Sequence, residues 1–170
     1  MTRLLTLLVL VFSAPLLAQD AALAKAKAEM EQLAETGTRE ALKVVQESGG
    51  FYPFGLVMDG EQQVRLVGYR GRPEQKPPAD EYVTPLFWSI RQTVRQEQDL
   101  KVAMVLKPHT IESEEGVPVP GIWATVDHRQ AAPWVMFLPF LPQEDGTYLI
   151  GEIVYSNAEE GIFNLVPLTR

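Results

Sequence analysis

The chain predicts an α+β fold: an antiparallel sheet of five or six strands with an N-terminal helix and a second helix packed on it. Three observations predict it. An apolar recurrence of seven runs through residues 20–48, a second helical stripe follows Pro85, and from Leu100 onward the period shortens to that of strands. The resulting order, helix, two strands, helix, then three or four strands, favours segregated helices on an antiparallel sheet over an alternating parallel fold.

The first helix rests on Leu23, Met30, Gly37 and Val44, with Leu33, Ala34 and Ala41 in the same stripe and Lys25, Lys27, Glu31, Arg39 and Lys43 mostly opposite. Gly37, between two threonines, predicts a kink or break, and Ser48, Gly49 and Gly50 end the helix. Residues 51–58 and 63–69 read as strands joined at Asp59-Gly60, a dipeptide that supplies the positive backbone angles of a tight hairpin. Pro73, Pro77 and Pro78 among charged residues make 71–79 an exposed loop. Thr84 and Pro85 form an N-cap and first turn, from which Leu86, Ile90 and Val94 carry an amphipathic helix to about Gln98, with Phe87 and Trp88 beside them.

Strands are then expected at 100–111, 122–128, 134–141 and 148–155. An acidic loop at 112–120, a short connection at 129–133 and a second Asp-Gly at 145–146 separate them. The run from Trp134 to Leu138 is apolar on both faces, which predicts a central strand covered by a helix on each side or by a dimer. Residues 158–170 show no firm pattern.

Residues 1–18 have the layout of an export signal: a basic Arg3, an apolar stretch from Leu4 to Leu17, and the small Ala18 at the cut. The stretch is shorter than the roughly 20 apolar residues of a spanning helix, so cleavage is expected and a stable membrane anchor is not. Leu16, three positions inside the cut, is larger than the usual residue there. With no cysteine in the chain, lipid attachment at the cut is excluded. The expectation is a periplasmic or secreted protein with one globular domain over residues 19–170.

Cleavage would remove Arg3 and leave 14 Lys and Arg against 22 Asp and Glu, a net charge of −8. Such acidity disfavours nucleic acid and anionic membrane surfaces as partners. The lack of cysteine also excludes disulfides, iron–sulfur clusters, thiolate catalysis and Cys-ligated zinc, so packing must supply stability.

The element order resembles the profilin-like and roadblock-like sandwiches and the periplasmic sensor domains related to PAS. Phe51-Tyr52-Pro53-Phe54-Gly55, with Asp127-His128-Arg129 and Leu138-Pro139-Phe140, resembles an uncharacterised bacterial α+β domain family. That resemblance implies a fold and no activity.

Catalytic signatures are absent. His109 and His128 have no metal-binding spacing, no serine lies in a nucleophile motif, and Gly68-Tyr69-Arg70-Gly71 falls short of a dinucleotide fingerprint. Glu112, Glu114 and Glu115 near His109 fit no calcium-loop template and read as a solvated loop. No cofactor and no metal are expected. Asp127-His128-Arg129 is the densest polar cluster at a strand end, although alternation places Asp127 and His128 on opposite faces. Trp88, Trp123 and Trp134 read as core. A groove between helix and sheet would draw on Phe51, Tyr52 and Trp123, with Arg129 or Glu152 as its polar handle.

The leading expectation is therefore an exported non-enzymatic interaction or ligand-binding module, with a protein partner or homodimer. The alternatives are an enzyme centred on Asp127, His128 and Glu152, or an inhibitor or immunity-type protein acting through an acidic face around residues 112–115.

Overall fold

The computed structural model describes residues 14–163, with side chains from residue 19 onward, and it bears out the α+β class. Helix α1 spans Ala14–Ser48, the hairpin strands β1 and β2 span Phe54–Asp59 and Val64–Val67, and helix α2 spans Ala79–Gln96. The long strands β3 (Leu100–Glu112), β4 (Pro118–His128) and β5 (Ala131–Pro142) follow, then the short β6 (Tyr148–Ile150) and β7 (Val154–Asn157). The order across the sheet is β2-β1-β3-β4-β5-β6, and β7 shares the β5 edge with β6. All pairs are antiparallel.

Each helix covers one face. Met30, Leu33, Ala41 and Val45 of α1 pack on Met104, Leu106, Ala124 and Met136, whereas Leu86, Ile90 and Val94 of α2 pack on Val57, Ala103 and Val105. Helix α1 is one unbroken helix, and the expected kink at Gly37 is absent. A side chain at that position would stand 2.7 Å from the Met104 sulfur, so the glycine lets helix and sheet approach closely. The buried stripe runs through Ala26 and Val45 and leaves Leu23 and Val44 exposed. The expected export signal falls largely on residues 1–13, outside the described residues. Ala26 is the first buried side chain among those described, so a cut after Ala18 would remove none of this core.

Helix α2 begins five residues before the expected N-cap and contains Pro85 in its interior. Pro78 occupies the N-cap position, and Asp80 and Glu81 in the first turn complement the partial positive charge of the helix start.

Strand β5 is next to the edge rather than central. The strand buried on both faces is β3, whose Val102, Ala103, Met104, Val105 and Leu106 lie between the two helices. Phe137 of β5 is buried differently, with its ring lying where a Gly121 side chain would stand. The expected strand at 148–155 is split. Pro139 has no N–H to give to the ladder, and its carbonyl accepts from Gly151 N at 3.0 Å between β6 and β7.

Three hairpins repeat one loop. In each, a backbone N–H bonds to the carbonyl four residues on, at Asp59–Gln63, Ser113–Val117 and Gln143–Thr147. The third loop residue takes a positive φ: 64° at Gln62, 75° at Gly116 and 82° at Gly146. This is the three-residue loop closed by a left-handed residue. At the first hairpin that residue is Gln62 and not Gly60, and Asp59 Oδ1 accepts from the N–H groups of Glu61 and Gln63, both at 2.9 Å. The acidic loop is correspondingly short, because Glu112 and Pro118 already belong to strands.

Candidate functional site

Asp127 and His128 sit side by side on β4 with their side chains on opposite faces of the sheet. Asp127 is fully buried on the α2 side. Its Oδ1 accepts from His128 N at 2.7 Å, and its Oδ2 accepts from Phe163 N at 2.8 Å and from Ile162 N. The carboxylate thereby ties the chain after β7 to the sheet and seats Ile162 in the core beneath α2. Burial pushes its pKa above the ordinary aspartate value, and the three amides pull it partly back.

His128, also buried, faces α1. Its Nδ1 accepts from Gln130 N at 2.9 Å, so Nε2 carries the ring hydrogen and donates to Glu29 Oε2 at 2.9 Å. Glu29 was not among the candidates. Its sequence signal is a carboxylate inside the apolar stripe of Ala26, Met30 and Leu33. Lys25, at 3.6 Å from the other Glu29 oxygen, is mostly exposed and adds little. The pair fastens α1 to the end of β4.

Arg129 is engaged elsewhere. Its guanidinium donates to the carbonyls of Leu100, Val94 and Glu97, closing the C-terminal end of α2, and stacks on Phe163 at 4.8 Å. Tyr52 stacks on Tyr82 with ring centroids 5.0 Å apart, meets Tyr69 edge-on and donates to Pro77 O, pinning the loop before α2. Trp123 is half-buried beneath Lys107, whose ammonium stands 4.6 Å from the ring. Glu152 is exposed between β6 and β7. The register pairs Trp134 with Val126 and Pro139 with Gly121, and Gly151 bonds to Pro139, so Glu152 lies roughly 17 Å along the strands from Asp127.

None of the three tryptophans is fully buried, and Trp88 is exposed on α2. Glu112, Glu114 and Glu115 ring the tip of the β3–β4 hairpin. No group of three His, Asp or Glu among the described residues has the geometry to hold a metal ion. No helix among them is long and apolar enough to cross a membrane.

A groove between helix and sheet does exist, in a different place from the expected one. It lies between α1 and the β5–β7 edge, with a volume of about 420 Å³. Ala34 and Leu42 form one wall, Trp134 and Met136 the floor, and Ile153 and Tyr155 the opposite wall. Trp134 and Tyr155 meet edge-on with ring centroids 5.4 Å apart, which holds the aromatic corner in shape. Glu31, Glu35 and Arg39 line the helix side, and Arg39 bonds to Glu35 at 3.1 Å. The volume falls in the range of small-molecule sites, and the apolar surface with a few polar groups at the rim matches their usual make-up.

Neither a protein-family model, nor a curated protein, nor a solved structure matches this chain.

Proposed function

We propose that the chain is an exported, non-enzymatic binding module that takes an apolar group into the groove between α1 and the β5–β7 edge. The observation that carries this reading is the groove itself, a concave apolar surface flanked by Trp134 and Tyr155. Burial of one aromatic or branched side chain there is worth roughly 1.5–3 kcal/mol, so affinity would rest on shape and apolar area rather than charge.

An enzyme built on Asp127, His128 and Glu152 has no comparable support. The oxygens of Asp127 are engaged by backbone amides, His128 is sealed against Glu29, and Glu152 stands apart.

The test uses protein recovered from the exported fraction, expected by mass spectrometry to begin at Gln19. It should bind an environment-sensitive apolar dye with a change in Trp134 emission. Leu42→Glu in one wall and the exposed Tyr155→Glu in the other should each weaken the dye at least tenfold. Dye binding unchanged in both folded variants would refute the groove as the seat, and an intact Met1 would refute the cleavage.

A further inference from the structure

The wall of the groove formed by β7 is also an edge of the sheet. Val154–Asn157 pairs with β5 on one side and with no strand on the other among the described residues. Unpaired edges are ordinarily blunted by a lysine, a proline or a charge within the strand. The opposite edge follows that rule: Arg65 stands in the middle of β2, paired with Glu97. Strand β7 has none of these, and its own Val154 and Tyr155 are 61% and 62% exposed, with Leu149 of the adjoining β6 at 58%.

The stretch of chain that builds this edge carries charge of one sign, and Arg39 across the groove is bonded to Glu35. From Gln130 to Thr169 the sequence contains no Lys or Arg and five acidic residues: Glu144, Asp145, Glu152, Glu159 and Glu160. Of these, Glu160 is paired, to Arg91 at 3.0 Å. Glu152 and Glu159 flank β7 at either end and are exposed. Self-pairing of two β7 strands, antiparallel and centred between Tyr155 and Ser156, would set Glu152 of each copy opposite Glu159 of the other. Like charges directly opposite are destabilising, so the edge disfavours its own copy.

We infer that β7 receives an extended segment of a partner protein in which Lys or Arg alternates with apolar side chains. The segment adds as an eighth strand antiparallel or parallel to β7. Main-chain hydrogen bonds supply much of the affinity, as in other strand-addition complexes. Register supplies the selectivity. Tyr155 pairs with Met136 and so faces α1, which places alternate side chains of an added strand at the mouth of the groove. Val154 and Ser156 face the other way. The basic residues share the face of Val154 and Ser156, where they meet Glu152, and the segment's end reaches Glu159 beyond the last residue of β7. This names the partner class of the groove and rests on that reading for the pocket that takes the segment's apolar side chains.

The experiment titrates the exported protein with three synthetic ten-residue peptides, followed by calorimetry at low and moderate salt. They are an alternating Lys/Val peptide, the matching Glu/Val peptide, and the Lys/Val peptide with a central proline. The Lys/Val peptide should bind at least tenfold more tightly than either control and weaken as salt rises. Glu152→Lys with Glu159→Lys should weaken it at least tenfold and leave apolar dye binding in the groove unchanged. Equal binding of all three peptides, or no effect of the double substitution, overturns the inference while the dye result keeps the groove reading standing. Failure of the dye with peptide binding intact overturns the groove reading and strips the inference of its pocket. Concentration-dependent self-association abolished by Val154→Lys would assign the edge to a second copy and overturn the proposed partner.

Discussion

At the scale of single residues, the polar groups that stand out in this sequence act as fasteners. Glu29 and His128 show how strict such a contact is, because both side chains lie almost dry between α1 and β4. Glu29→Ala leaves the His128 Nε2–H without an acceptor and should lower stability by about 1–3 kcal/mol in urea unfolding. Glu29→Gln keeps an oxygen in place and should lose much less. Equal losses would mean that the hydrogen bond is not what matters there.

Asp127 makes a prediction in pH. Its carboxyl titrates above the ordinary value of 3.8 in the folded protein, so at a pH between that value and the folded-state one the native protein holds a proton that the unfolded chain has released. The stability from this group is therefore full below about pH 3.8 and is lost as pH rises through the folded-state value. Asp127→Asn does not titrate. The stability of the parent protein relative to this variant should rise as pH is lowered from 7 towards 4, and a constant difference would contradict the assignment.

At the scale of elements, the three hairpins show one loop built with unequal fitness. Two of them place glycine at the left-handed position, whereas the β1–β2 loop places Gln62 there at a φ of 64°. A side chain with a Cβ is strained in that region, and glycine is not, at the expense of some unfolded-state entropy. Gln62→Gly should raise stability by on the order of 0.5–1 kcal/mol, read as a higher urea midpoint at unchanged slope. A loss of stability would mean that the Gln62 side chain makes a contact of greater value than the strain. Helix α2 carries a parallel lesson. Thr84-Pro85 has the chemistry of a helix start, yet the helix begins at Ala79, and Tyr82 in the added turn packs on the α2-side core and stacks on Tyr52. Tertiary burial outweighs a local boundary signal.

At the scale of the whole molecule, the sheet is asymmetric. Its middle is sandwiched between helices, one edge carries Arg65, and the other is apolar, acidic at its flanks and beside a groove. That asymmetry is what the groove and the strand-addition proposals have in common. It also accounts for the exposure of Tyr155, and for the only partial burial of Trp134, in a chain whose central strands are so fully covered.

Periodicity alone determined the class of this fold, because a stripe of 3.6 and an alternation of two are local properties that any compact packing must respect. The N-terminal helix, the second helix with Leu86, Ile90 and Val94 as its inner face, the hairpin after Phe54 and the long strands beyond Leu100 were all legible in that way. The opposite facing of Asp127 and His128 was legible too. What only the tertiary structure decided was adjacency. Apolarity on both faces does not say whether a strand is central, since Phe137 can be buried over a glycine next door as well as under a helix. Helix propensity cannot tell a hinge from a close approach at Gly37. The carboxylate that meets His128 comes from 99 residues away, and the groove gathers side chains from α1, β5 and β7, which no spacing in the sequence connects.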